Sequence, residues 1–224
     1  MPHRLRIAID GPAASGKGTV ARGLAAALGY TYVDTGTLYR TLALLARREG
    51  LPLDDEARLA DRAASLPVRL LWDGQRLRVF LAEEDVSEAI RTEATGQGAS
   101  AVATLPGVRA ALLGLQRRLG ADGGVVMDGR DIGSVVMPEA ELKVFLDASL
   151  EERARRRLLE LRQRGIEVDP DQVRREVAAR DSQDSQRAVA PLRLLPDSWH
   201  LDTTGLSPAE VLACVVAEAR RRGA

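Results

Sequence analysis

Apolar and polar positions change period several times along this chain. Short apolar runs at Leu5–Ile9, Tyr30–Val33, Val125–Met127, Leu142–Leu146 and Trp199–Leu201 read as buried strands. Between them, Val20–Leu28, Leu38–Glu49, Gly107–Leu119, Leu150–Arg164 and Pro208–Arg222 read as helices. Strand–helix alternation predicts an α/β fold, a mainly parallel sheet with helices on both faces. Two helix starts are marked by sequence. Ser149 with Glu152 spells a capping box, and Ser207, Pro208 and Glu210 give cap, first-turn proline and box together. The stretch Leu66 to Ile90 breaks the rhythm. Val68–Trp72, Asp73-Gly74 and Leu77–Leu81 predict a hairpin, with Leu77, Val79 and Leu81 alternating against Arg78 and Phe80. This is a small β-containing insert on the main sheet. There is no internal repeat and no low-complexity linker.

The 224 residues suit one α/β domain with insertions, or two small domains, and 45% apolar content fills an ordinary core. Basic and acidic side chains balance at 32 each, so no overall field favours nucleic acid or a membrane surface. No run of about 18 apolar residues suggests a membrane span, and Arg4, Arg6 and Asp10 interrupt any secretory apolar region. The single cysteine, Cys214, fits a reducing compartment and reads as a small buried residue of the last helix. His3 and His200 are isolated, which argues against zinc. Lysine occurs only at positions 17 and 143, and asparagine is absent. The codon bias of a GC-rich genome accounts for both, with thermostability the alternative for the missing asparagine. In that background Lys17 persists where arginine was the easy alternative, which supports a role for an ammonium point charge.

That lysine ends the strongest motif. Gly11 to Thr19 reads G-P-A-A-S-G-K-G-T directly after the first strand and before a helix. Gly11, Pro12, Ala13, Ala14, Ser15, Gly16 and Lys17 fit a phosphate-binding loop, and the strand–loop–helix context fits as well. Backbone N–H groups turned inward, a helix N-terminus and the Lys17 ammonium all favour phosphate oxygens. One departure is that Gly18 follows the lysine and the hydroxyl comes one place later, at Thr19. A second signal, Asp128-Gly-Arg130-Asp131-Ile-Gly133, lies where a strand ends, the usual ligand position in open α/β sheets. Asp128 is a candidate for holding Mg²⁺ or its waters, and Arg130 for meeting phosphate; a polar turn with a structural ion pair would read the same. Asp34-Thr35-Gly-Thr-Leu-Tyr-Arg40 opens a helix that Thr35 can cap. Arg180, Asp184 and Arg187 fall on one helical face, with Ala188-Val-Ala-Pro-Leu192 ending the helix beyond them. Arg153, Arg155, Arg156 and Arg157 crowd another helix. Most of these are solvated, with one or two expected to be functional. Arg220–Arg222 reads as a solvated helix end.

In this order and at these separations, G-P-A-A-S-G-K-G-T, D-T-G-T-L-Y-R, M-D-G-R-D-I-G, F-L-D-A-S and R-A-V-A-P-L resemble bacterial cytidylate kinases over essentially the whole chain. The resemblance implies a P-loop kinase with a five-stranded parallel sheet of order 2-3-1-4-5. It implies a core at about 1–60, 102–150 and 188–224, a nucleoside-monophosphate insert at about 61–101 and a helical lid at about 151–187. It implies phosphoryl transfer from ATP to CMP or dCMP with Mg²⁺. Gly11 to Thr19 would hold the ATP phosphates. Lys17, Arg130, Arg157 and Arg187 would serve catalysis, with Arg156 as a further lid arginine. Arg40, Arg130 and Arg187 would meet the CMP phosphate, and Arg180 and Asp184 the sugar. Ser100, Arg109 and Asp131 would read cytosine, with Asp131 accepting from the amino group and Arg109 and Ser100 donating. Thr35 would also line the CMP site, and Thr19 and Asp128 would hold the metal, directly or through water. Thr35 stands where some members have serine, and Gln183 and Ser185 where some carry further arginines. The rivals are a P-loop kinase for another acceptor, such as UMP, AMP or a shikimate-like molecule, and a nucleotide-gated binding module without acceptor chemistry. A cytoplasmic monomer with small-molecule partners is expected.

Overall fold

A computed structural model describes residues 4–224, so His3 lies outside the described residues. The main sheet contains five parallel strands: β1 (Arg6–Asp10), β2 (Thr31–Asp34), β6 (Val125–Gly129), β7 (Leu142–Asp147) and β8 (Trp199–Asp202). Their order is β2-β6-β1-β7-β8, which is 2-3-1-4-5 when only these strands are counted. All five begin and end within two residues of the apolar runs. The runs are continuous rather than alternating because both faces are covered. In β6, Val126 faces one helical layer while Val125 and Met127 face the other.

Helices α1 (Lys17–Leu28), α2 (Gly36–Arg48), α5 (Pro106–Leu119), α6 (Leu150–Gln163) and α8 (Pro208–Arg221) match the predicted segments. The Ser207–Glu210 box is complete, with Pro208 in the first turn. The other box is half made. Ser149 accepts from the Glu152 N–H, but the Glu152 carboxylate binds Arg155 and Arg156, and the Ser149 N–H goes to Thr204. Arginines a turn away outcompete one neutral N–H for that carboxylate. Cys214 is exposed, contrary to its sequence reading. Val211, Val215 and Ala219 bury one stripe of α8, and position 214 falls a quarter-turn or more off it. Arg221 and Arg222 pair with Glu218, as a solvated helix end should.

The insert is richer than a hairpin. Helix α3 (Glu56–Ala64) precedes β3 (Val68–Trp72) and β4 (Leu77–Leu81), and a two-residue strand β5 (Glu84–Asp85) completes a three-stranded antiparallel sheet. The turn spans Asp73–Arg76 rather than two residues, because Trp72 pairs with Leu77. Asp73 accepts from the N–H groups of Gln75 and Arg76. Helix α4 (Glu93–Val102) then packs on α2. Helix α7 (Pro170–Gln186) pairs with α6 around Leu161, Val173 and Val177, an apolar cluster separate from the main core. Among the described residues no single helix is long and apolar enough to cross a membrane.

Candidate active site

Parallel strands bring their carboxyl ends together. Here four of the five strands end in aspartate and β6 carries one as its penultimate residue, with Asp34 beside Asp128 and Asp147 beside Asp202 in register. The loop 11–16 leaves β1 at that rim. Gly11 sits against β7 so closely that a Cβ would lie 2.0 Å from the Leu146 carbonyl oxygen, so only glycine fits. Gly16 and, unusually, Ala14 adopt left-handed backbone, with φ of 92° and 58°. The loop holds that strain because its surroundings over-determine it. The Ala13 N–H donates to Asp181, and Arg153 donates to the Ala13 carbonyl. Lys17 is buried and donates to the Pro12 carbonyl at 2.6 Å and Ser15 Oγ at 3.3 Å. Burial, and next the nearby Arg130 charge, hold its ammonium well below the ordinary lysine value, so the site favours an arriving anion. Thr19 is exposed at the mouth of the smaller cavity.

The Asp128–Gly133 turn is anchored from below. Asp10, at the end of β1, accepts from the N–H groups of Ile132 and Gly133, both at 2.8 Å. Burial pushes the Asp10 carboxyl up to about 6 against those two donors. Gly129 permits a tight crossing, since a Cβ there would lie 2.6 Å from Thr35 Oγ1. Thr35 does not cap α2 through its side chain; its hydroxyl donates to the Asp128 carbonyl at 2.9 Å. Asp128 is buried with Tyr32 donating to its Oδ1, and burial, then the Asp34 charge, raise it to about 7. Asp34 itself is held low by Arg40 despite burial, and Arg40 and Asp34 form an ion pair.

Arginines converge above this turn. Arg130 donates to Asp184 at 2.6 Å, and Arg187 lies 3.7 Å from the same carboxylate and 3.6 Å from Asp131. Arg109 donates to Asp131 at 2.5 Å. Burial pushes the Asp184 carboxyl up, but Arg130, Arg180 and Arg187 together bring it below its usual value. Arg180 is pulled down to about 10, by burial first and by Arg130 next. Arg109 Nε, Arg180 Nε and one terminal nitrogen of Arg187 are buried without a hydrogen-bond partner. Orphaned guanidinium donors in a protein interior mark a place that an anion completes. Two cavities of about 890 Å³ and about 440 Å³ share Ser100, Arg40, Arg130 and Arg180 in their walls. Asp131, Arg109, Asp184 and Arg187 line the smaller, and Arg157 and Gln183 the larger.

The profile of the family described as "Cytidylate kinase" matches residues 7–221. The chain belongs to the cytidylate kinase family. A cytidylate kinase of Streptococcus suis is 49% identical over 218 residues, covering 96% of each chain. One from Pseudomonas syringae pv. tomato is 51% identical over 214 residues, covering 95% and 93%. An uncharacterized protein from Eubacterium ventriosum shares the fold, with a TM-score of 0.54 at 11% identity, covering 97% and 99%.

Within this cytidylate kinase framework, most sequence-assigned residues meet at one rim. Two arginines of α6 differ in reach. Arg156 donates to the Ser15 carbonyl and to Thr203, touching the phosphate loop, whereas Arg157 pairs with Glu93 of α4 and with Glu160 one turn along its own helix. Ser100 is not free to donate towards a ligand, because its hydroxyl donates to Gln183 Oε1 at 3.0 Å. Sequence reasoning missed Asp10, Asp181 and the roles of Gln183 and Arg153. Asp181 follows Arg180 with nothing local to mark it, while Asp10 was readable as an acid closing the strand before the loop.

Proposed function

We propose that this chain transfers the γ-phosphoryl group of ATP to CMP or dCMP, giving ADP and CDP or dCDP. The observation that carries the reading is the set of buried guanidinium nitrogens of Arg109, Arg180 and Arg187 that make no hydrogen bond, beside a strained phosphate loop. The loop with Lys17 and Arg156 holds the ATP phosphates. Arg40, Arg130 and Arg187 take the acceptor phosphate, and Arg180 meets the sugar. The acceptor phosphate is already a nucleophile, so no strong base is needed; positioning and charge neutralisation supply the rate. Asp184 holds Arg130 and Arg187 in place and faces the sugar. Asp131, pinned by Arg109, accepts from the cytosine amino group.

Mg²⁺ fits the donor set. Asp128 is a buried carboxylate that a neighbouring acid and burial push towards protonation, and a cation relieves both effects. No group of three or more metal-ligating acids, histidines or cysteines exists among the described residues. The protein therefore supplies Asp128 and Thr19, and nucleotide phosphates and water supply the rest. A bound Mg²⁺ would supply charge neutralisation for the transferring phosphoryl group.

The lid reading for about 151–187 is supported by the separate apolar cluster of α6 and α7. Helix α7 reaches the rest of the site through polar side chains at Asp181, Gln183 and Asp184. Such contacts release and re-form without dismantling a core, as closure around ATP requires. A single copy carries every residue named, so we assign activity to the monomer. A coupled assay of ADP formation across CMP, dCMP, UMP and AMP tests the reading. CMP and dCMP should exceed UMP by at least about tenfold in kcat/KM; equal use of CMP and UMP would overturn it.

A further inference from the structure

Gln183 of α7 makes two hydrogen bonds with Ser100 of α4: the Ser100 hydroxyl with Gln183 Oε1 at 3.0 Å, and Gln183 Nε2 with the Ser100 carbonyl at 3.2 Å. The second bond fixes every proton in the first. A backbone carbonyl can only accept, so the amide face turned to it must be the NH₂ group. The amide oxygen is then the atom facing the hydroxyl, and an amide oxygen can only accept. Ser100 must therefore donate to Gln183. Flipping the amide would set two acceptors against each other at 3.2 Å, so this network has one solution.

A hydroxyl carries one hydrogen. With that hydrogen committed to Gln183, Ser100 Oγ has only lone pairs to offer the cavity it lines with Asp131 and Arg109. Asp131, already bound to Arg109, is likewise an acceptor. A pyrimidine amino group has two hydrogens and meets two acceptors. A carbonyl in the same place would face both acceptors, and both terminal nitrogens of the neighbouring Arg109 are already given to the Ala103 carbonyl and Asp131. We propose that Gln183 is a specificity-determining positioning residue. It locks the Ser100 hydroxyl as an acceptor, so the pocket takes a base with an exocyclic amino group and rejects one with a carbonyl. Because Gln183 rides on α7 and Ser100 on α4, the lock exists only when these helices are docked. Base choice is thereby tied to lid closure. The proposal rests on the reading of Ser100 and Asp131 as base-facing groups.

The test is a cycle of Gln183→Met, Ser100→Ala and the double variant, with kcat and KM for CMP and UMP and thermal melts to verify folding. Methionine keeps the length of glutamine without its hydrogen bonds. Freed from Gln183, the Ser100 hydroxyl can turn its hydrogen into the pocket. Gln183→Met should lower the CMP-to-UMP ratio of kcat/KM by about three- to tenfold, partly by raising kcat/KM for UMP. A simple latch would depress both substrates equally and leave the ratio unchanged, which would overturn the proposal. In the Ser100→Ala background Gln183→Met should leave the ratio where Ser100→Ala put it; a further drop would show that Gln183 acts elsewhere. If Ser100→Ala alone leaves the ratio unchanged, the base-site reading falls and the proposal with it. If Ser100→Ala lowers the ratio and Gln183→Met does not, only the proposal falls.

Discussion

Replacing Asp10 by asparagine sets burial against hydrogen bonding at the base of the site. The carboxyl receives two backbone N–H groups at 2.8 Å, which favour its ionised form. It is also buried, which disfavours that form, and burial prevails by raising it from 3.8 to about 6. A folded-state value above the unfolded one means that the folded protein holds the proton more tightly. Stability from this group is then full below about pH 4 and lost as pH rises through 6. About two units at ~1.4 kcal/mol each amount to about 3 kcal/mol. Asparagine removes the charge but keeps one acceptor, and its NH₂ meets a backbone N–H donor against donor, at a cost of about 1–2 kcal/mol at every pH. Asp10→Asn should therefore be less stable than the wild type near pH 4 by that amount, and more stable at pH 7.5 by the remainder, about 1–2 kcal/mol. At roughly 2–4 °C per kcal/mol for a chain of this size, Tm at pH 7.5 rises by about 2–8 °C. Asp128 titrates in the same window but is common to both proteins and drops out of the difference. Thermal melts of both proteins without nucleotide, from pH 4 to 8, measure the effect. A variant less stable than wild type at pH 7.5 would refute the argument and show that the two amide bonds outweigh burial. Because the turn carrying Arg130 and Asp131 loses one firm anchor, kcat/KM for CMP should fall by about fivefold even as Tm climbs.

Lys17→Ala should lower kcat by roughly 10²–10³ or more with an unchanged circular dichroism spectrum; retention of more than about a tenth of the rate would count against the loop assignment. Arg130→Ala and Arg187→Ala should each weaken CMP handling by about tenfold or more while ATP affinity, measured by calorimetry, stays within about twofold. Arg221→Ala, whose side chain is exposed and pairs only with Glu218, should move neither constant. Asp181→Ala frees the Ala13 N–H and leaves Arg153 without its carboxylate, so KM for ATP should rise by about tenfold, and more than KM for CMP; a change confined to CMP would contradict the clasp.

What was legible in the sequence was what short segments decide for themselves. Buried parallel strands announce themselves as apolar runs, and the phosphate loop needs glycines and a lysine at fixed spacing. Helix α4 was not legible, because E-A-T-G-Q-G-A-S-A-V carries two glycines and no apolar stripe. It is helical because Gly98 lets it lie against Ala43 of α2, where a Cβ would come within 3.1 Å. The two-residue β5 has too little pattern to read at all. Which of Arg156 and Arg157 touches the loop depends on the roll of α6 about its axis, which pairing with α7 sets. Thr35 had an ordinary capping context, and only the close crossing at Gly129 redirects its hydroxyl. Asp10 and Ser100 gain their roles from partners 122 and 83 residues away, and those pairings are products of topology.

The strand order has a consequence for how the chain is made. Strand β1 lies at the centre of the sheet, yet its two neighbours are β6 and β7, which begin at residues 125 and 142. A ribosome adding 5–20 residues per second needs roughly 6–25 seconds to travel from Asp10 to the start of β6. Throughout that interval Ile7, Ala8 and Ile9, all fully buried in the finished protein, have no partner strand on either side. The nascent protein thus carries a bare, apolar strand with two open edges for most of its synthesis. Its phosphate loop lacks the Leu146 carbonyl that packs against Gly11, and the Arg153 and Asp181 contacts that hold it, until still later. Until then the open edges of that strand are free to pair wrongly during translation.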